Sequence, residues 1–585
     1  MDFIRKHKWE VPLYIIAAGL PLIIYFHVQY TGLENLPWFP NQVTWTDFFL
    51  YGKSRCVHLT ALLMAIILIA AALRKRTYPF GREWILVFIF GALQLASAFT
   101  SIAPQQSFLG GIEQYESVWV LLGYLVIGCY AYQCVVKSKS PKMILNALFV
   151  GVALSCLIGI TQLFQMDFWE SSIGKYLLVP DTYAEFRESL RFNFSQGNWE
   201  PVYLAGYNPN YAGIYLLMIL PCMFLGENRV VRILGIIVAI CMLGTLSKTV
   251  MVVAMILVVM GFVLFGKLIS PKDMKWKYVA AVIIIFLGIT LLFLNGNEEA
   301  VSEKEKLQEV VCDEEYVRLK YQDETILFRE KTAYEGGITY ELLYEDGSLL
   351  DLLWNETSGE MDPQEEKLQG LHFKVYEKDG IAYAMFRYGD IPFRFTKDAG
   401  TGKYEYVTIN GKLDQLQNAP AIFIGHEDFI NGRGYIWSRT LPKIAEYPLL
   451  GTGPDTFLLA FPQDDYVARS NLGHTFFTQI LTNAHSLYMH MTVQTGIPSL
   501  LCFLGFVLLY LKKSWKLYYG KETYSELEKV GIGILLGIIG YLLCGLTFAS
   551  SVCTTPIFWL LLGTGIGINK RLSNESRQAL IFNLF

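Results

Sequence analysis

Three kinds of side chain in this 585-residue sequence have the types and settings to act together on one bond. His485 lies in Asn483-Ala484-His485-Ser486-Leu487-Tyr488, shortly before Gly496-Ile497-Pro498 and an apolar run from Ser499 to Leu511. A helix starting here takes Asn483 as its cap and carries His485 in its first turn, where the positive end of the helix dipole disfavours imidazolium. A neutral imidazole can accept a proton. On such a helix His485, Tyr488, Met489 and Thr492 share one face. Lys248, in the turn Leu246-Ser247-Lys248-Thr249, and Arg433, in Gly432-Arg433-Gly434-Tyr435-Ile436-Trp437, each bring a cation to the edge of an apolar or amphipathic segment, and Arg439 competes with Arg433. One base and two cations suit attack by a hydroxyl with departure of a diphosphate, whose oxygens need charge compensation as the bond breaks. The plainer alternatives are a satisfied interfacial histidine, a lysine that snorkels and an arginine that covers a surface.

Two further stretches flank these groups. Tyr207-Asn208-Pro209-Asn210-Tyr211-Ala212 supplies a polar helix start, with Asn208 and Asn210 better read as caps than as substrate contacts. Gly451-Thr452-Gly453-Pro454-Asp455 lacks the Lys-Ser/Thr ending of a phosphate loop and reads as a structural turn.

The elements that position these residues belong to a membrane protein. Aromatic residues make up 15% of the chain, charged residues only 17%, and the mean hydropathy is +0.35. Apolar runs of about 17–23 residues, long enough to cross a bilayer, recur along it. Twelve spans are expected, at 11–28, 56–73, 83–99, 118–136, 143–165, 210–226, 230–246, 249–266, 278–295, 497–511, 530–549 and 552–569. Basic residues mark alternate loops, from Arg5, Lys6 and Lys8 through Arg74-Lys75-Arg76 to Lys570-Arg571, which places both termini in the cytoplasm and His485 outside. The first span lacks a small-residue cleavage site and is expected to be retained. No span carries a charge near its middle, which counts against ion-coupled transport.

Between the ninth and tenth spans, residues 297–430 turn rich in Glu, Asp and Tyr, with β-forming runs at Tyr316–Phe328, Ile338–Leu353, Leu371–Tyr376, Ala382–Arg387 and Lys403–Ile409. Turns fall at Glu345-Asp346-Gly347-Ser348, Lys378-Asp379-Gly380 and Gly400-Thr401-Gly402. The expected fold is an all-α polytopic membrane protein with a small β-rich domain inserted outside the membrane. Its parts are 1–296 with nine helices, the insert at 297–430, interfacial helices and loops at 431–482, and 483–585 with three helices. Asn431 is expected to cap a helix at 433–446 that Pro448 ends. Trp354 and the insert's tyrosines read as core or strand-face aromatics rather than as sugar platforms. Only Cys312 lies in the large outer region, so no disulfide framework is expected there. No basic, aromatic-interleaved patch points to nucleic acid.

Asn208-Pro209-Asn210-Tyr211-Ala212, the Ser247-Lys248 turn, Arg433 with Trp437, Pro448-Leu449-Leu450-Gly451-Thr452-Gly453 and Asn483-Ala484-His485-Ser486 with Gly496-Ile497-Pro498 follow one another in an order that resembles the O-antigen ligase and polymerase family. The resemblance implies a metal-independent, cofactor-free inverting glycosyltransferase. It would take a glycan from an undecaprenyl-diphosphate carrier at the outer face of the bacterial plasma membrane and pass it to a glycan, lipid or wall-polymer acceptor. It makes His485 similar to the family histidine and Arg433 similar to its outer-loop arginine. Lys248 stands where the family usually has arginine, which keeps the charge and loses the bidentate fork. Ser499 replaces a glycine often found in that motif. Asn483, Ser486, Tyr488, Asn208 and Asn210 would support the site, and membrane lipids would surround it. A transporter of lipid-linked glycans, or a receptor using the insert, are the rival expectations.

Overall fold

The computed structural model describes residues 9–137, 142–194, 199–269, 306–332, 338–398 and 400–582. Five helices are long and apolar enough to cross a membrane: Tyr51–Leu73, Val118–Lys137, Lys142–Leu163, Ile497–Tyr518 and Glu526–Cys544. Shorter apolar helices lie at Val11–Leu22, Trp84–Phe99, Pro209–Leu225 and Lys248–Gly261. The expected count of twelve is therefore not met by helices of spanning length among the described residues, and the expected ninth span, 278–295, lies outside them.

Local chemistry sets several of these ends. Pro209 sits in the first turn of Pro209–Leu225, where its missing N–H costs nothing, and the Asn208 side chain accepts the Asn210 N–H. Ser525 and Glu528 cap each other's backbone N–H groups at the start of Glu526–Cys544. Two expected spans end earlier than their hydropathy suggests. The first stops at Leu22, after a π-helical and a 3-10 turn, and the chain then pairs His27–Tyr30 with Thr44–Asp47 as a β-hairpin. The eleventh stops at Cys544, and an irregular segment at 545–554 precedes the helix Thr555–Phe582.

The helices share one apolar core, in which Pro209–Leu225 packs on Glu526–Cys544 and Val118–Lys137 packs on Thr555–Phe582. Glycines permit the closest approaches. A Cβ on Gly537 would collide with the Met218 carbonyl oxygen, and one on Gly563 would collide with that of Gly128.

The insert is two antiparallel sheets. One runs in chain order through Leu307–Cys312, Tyr316–Tyr321, Glu324–Thr332 and Ile338–Tyr344; the other has seven strands from Leu352–Asn355 to Leu413–Asp414, also in chain order. Alternation sets their faces, as in Tyr316–Tyr321, where Val317, Leu319 and Tyr321 are buried. Asp379 and Gly380, both at positive φ, form a two-residue hairpin turn at the expected place. The strand Ile391–Lys397 is masked in the sequence by Pro392 at its second residue, a position near a strand end that proline tolerates.

The insert's core does not stop at residue 430. Tyr466, Val467 and Phe477 join it, with the Tyr406 and Tyr466 rings 4.9 Å apart and those of Phe393 and Phe477 5.9 Å apart. Its last hairpin is tied to the loop at 31–43, where Lys412 donates to the carbonyls of Leu36 at 3.0 Å and Phe39 at 2.9 Å. Trp354 lies on a strand face and is 58% exposed, whereas Tyr321, Tyr404 and Tyr406 are buried in the core.

Candidate functional site

The segment around His485 is not the helix start that its sequence suggests. The helix is Leu487–Thr495, with Ser486 at the cap position, and His485 precedes it at φ +45°. Asn483 does not cap the helix; its side-chain oxygen accepts the His485 N–H at 2.9 Å and fixes a turn. The left-handed turn takes the imidazole off the helix face shared by Tyr488, Met489 and Thr492. His485 is half-buried, and its ring has no hydrogen-bond partner among the described residues. Its pKa falls to about 3, chiefly from burial, with the positive charge of Arg433 and the neighbouring His490 adding to the effect. Neutrality thus has a different cause from the helix dipole.

His490 is the second histidine of this segment, and it is only 1% exposed. Its ring is engaged, with the Ala484 N–H 3.4 Å from Nδ1 and the Gln494 amide 3.0 Å from Nε2.

Arg433 follows three consecutive residues at positive φ, Ile430, Asn431 and Gly432, that kink the helix Phe429–Glu446. Asp428, not Asn431, occupies its cap position, and the expected end before Pro448 is met at Glu446. The Arg433 guanidinium donates from Nε to the Thr547 carbonyl at 3.1 Å and from Nη1 to that of Ile430 at 3.2 Å, and it lies 5.1 Å from the centre of the Phe548 ring. One turn on, Trp437 donates to the Ala484 carbonyl at 3.0 Å, so the arginine helix is clasped to the residue before His485.

Lys248 opens the helix that follows its turn and is exposed, with no ion pair among the described residues. Its neighbours on both sides are held. Ser247 donates to the Asn210 side-chain oxygen at 2.6 Å, and Thr249 meets Thr547 hydroxyl to hydroxyl at 3.2 Å. Thr547 therefore joins the lysine turn to Arg433. The Leu487 N–H donates to the Gly545 carbonyl at 2.8 Å, and the Tyr488 hydroxyl donates to that of Leu542 at 2.7 Å. The irregular segment 545–551 is the shared abutment for the histidine, arginine and lysine segments.

Arg439 has a different setting. It is buried, with Nε 3.0 Å from Asp465, Nη1 3.3 Å from Glu427 and its guanidinium 4.5 Å from the Tyr435 ring centre. Its charge is spent on two carboxylates, and the structure does not place it with His485 and Arg433.

The two glycine motifs explain each other. Gly451 and Gly496 lie where two segments cross: a Cβ on Gly451 would run into the Gln494 carbonyl, and one on Gly496 would run into the Leu449 carbonyl. Both are at positive φ.

Sequence reasoning missed the loop before Val118. Glu113 accepts from the Thr482 hydroxyl at 2.8 Å, next to Asn483, and burial raises its pKa. Glu116 is buried and accepts from the Ser550 hydroxyl at 2.5 Å, and burial pushes its pKa up to about 7. The signal was two carboxylates a few residues ahead of an apolar span. Lys53 was missed as well; it is buried and donates to the carbonyls of Ile23, Phe49 and Ala205, which makes it a structural knot.

Residues 396–504 match the family model described as O-antigen ligase. No curated protein matches the chain. The O-antigen ligase match bears out the resemblance carried by the motifs and supports an enzyme of glycosyl transfer. Arg433, Arg439, His485 and Gly496 lie inside the matched stretch, while Lys248, Asn208 and Asn210 lie outside it and are joined to it through Thr547 and Ser247. Together with its apolar helices, the O-antigen ligase stretch supports a membrane protein.

Proposed function

We propose that this protein is a membrane glycosyltransferase of the O-antigen ligase or polymerase type, moving a glycan from an undecaprenyl-diphosphate carrier to an acceptor hydroxyl at the outer face of the bacterial plasma membrane. The observation that carries the reading is an imidazole without a hydrogen-bond partner among the described residues, clasped beside Arg433 through Trp437 and Ala484. The lysine turn is joined to the same place at Thr547.

In the reaction the acceptor oxygen attacks the anomeric carbon, and its proton passes to His485. The bond from that carbon to the diphosphate oxygen breaks, and the lipid diphosphate leaves with the electron pair while Arg433 and Lys248 offset its growing charge. Attack opposite the leaving group inverts the anomeric centre. No step calls for a metal or a cofactor.

The test is the purified chain in lipid vesicles, given polyprenyl-diphosphate-linked glycan and a soluble acceptor. A new glycosidic linkage of inverted configuration, with free lipid diphosphate, supports the reading. Glycan that crosses the bilayer with its linkages unchanged overturns it in favour of transport.

A further inference from the structure

A cleft of about 940 Å³ opens where the β insert meets the helix that carries Arg433. That is the upper end of the range of roughly 300–1,000 Å³ found for ligand pockets. One wall is the start of the insert's first strand, with Gln308; another is the chain from Asn418 to Asp428; the floor includes Asn431 and Gly432, with Phe476 and Gln479 beside them.

The first-strand wall is fixed to Asn471, which also lines the cleft. Asn471 accepts the Leu307 N–H at 2.9 Å and donates to the Leu307 carbonyl at 2.8 Å, while the Tyr388 hydroxyl donates to the same Asn471 oxygen at 3.0 Å. The floor residues Asn431 and Gly432 belong, with Ile430 before them, to a run at positive φ, a costly backbone shape that tends to occur at functional places. It leads directly into Arg433.

The lining has a chemical character. Side-chain amides come from Gln308, Asn418, Asn431 and Gln479, carboxylates from Glu427 and Asp428, and an aromatic ring from Phe476. Arg439, which also reaches the wall, is neutralised by Glu427 and Asp465. Lys306 is the other cation of the lining, and it and Arg439 are outnumbered by the carboxylates of Glu427, Asp428 and Asp465, which disfavours a diphosphate here. Amides and carboxylates offer donors and acceptors to hydroxyl groups, and a ring offers a flat apolar face.

We propose that this cleft holds an oligosaccharide chain, its hydroxyls on the amides and carboxylates and one sugar ring against Phe476, with the chain leading towards Arg433. The inference rests on the glycosyl-transfer reading and gives the β insert a role in it. The chain is the glycan of either the acceptor or the donor, and the experiment separates these.

Full-length protein in nanodiscs is titrated with a length ladder of oligosaccharides, released by mild hydrolysis from the surface polysaccharide of cells that make this chain. Gln308→Ala removes an amide, Asn431→Gly removes another while keeping the positive φ, and Ala419→Trp fills the space. Longer members of the ladder bind the unaltered protein, and the pair Gln308→Ala/Asn431→Gly weakens them about tenfold at an unchanged melting temperature. A rise in KM confined to the acceptor assigns the cleft to the acceptor glycan, and one confined to the donor assigns it to the donor glycan. Unchanged binding and unchanged KM values in all the folded variants overturn the cleft while leaving the transfer reading intact. Ladder binding by a protein that forms no new linkage overturns the transfer reading and leaves the cleft.

Discussion

His485 begins with a pKa of about 3 because it is desolvated and faces a guanidinium, and an anionic diphosphate reverses the second cause. Donor binding would then raise the basicity of the imidazole, making it a better proton acceptor once the substrate is in place. The resting imidazole stays neutral as pH falls through the ordinary histidine range, and the donor-bound one protonates at higher pH. The acid limb of kcat should therefore lie at higher pH than that of kcat/KM, as pH–rate profiles would read. Coincident limbs at an ordinary histidine pKa would contradict the assignment. Lys248 and Arg439 separate by phenotype. Lys248→Ala should raise the donor KM while Lys248→Arg preserves it, because an exposed ammonium with no ion pair among the described residues supports no fold contact. Arg439→Ala should instead lower the melting temperature, since it leaves the buried Asp465 carboxylate short of a partner, at about 3–5 kcal/mol.

Among the helices and turns, the crossing of the Leu449–Gly451 turn with the end of Leu487–Thr495 holds the histidine segment in place. Gly496→Ala should cost folded protein more than it changes KM, because the added carbon meets the Leu449 carbonyl and Gly496 is at φ +85°; thermal melts beside kinetics would show it. The glycine and proline pattern around 448–498 was legible in the sequence because a close crossing leaves no choice of residue. The caps were less so. Asn483 has the type of a helix cap, yet it serves a turn two residues earlier, since an Asx turn and an N-cap use the same side-chain oxygen. Residues 545–549 and 552–554 read as the ends of two spans because they adjoin apolar runs; what unwinds them is tertiary, the Gly545 and Thr547 carbonyls being occupied by Leu487 and Arg433.

Across the full chain, the insert was legible as β structure from its alternation and turns, but its attachment was not, because Tyr466, Val467 and Phe477 reach its core from outside the composition boundary. Deleting 306–416 should uncover those three side chains and yield aggregated protein, whereas a freely hinged domain would be removed without loss; size-exclusion chromatography in detergent distinguishes the two. In cells, loss of this chain should shorten the surface polysaccharide if the acceptor is another lipid-linked unit, and leave long unattached chains if it is a final anchor.

A single-turnover assay of His485→Ala with pre-bound lipid-diphosphate donor isolates the proton-transfer step from binding and release. Donor should bind the variant nearly as well as it binds the unaltered protein, with transfer slowed by about 10²–10⁴-fold, the usual contribution of a positioned base. Transfer at the unaltered rate would show that the imidazole takes no proton from the acceptor.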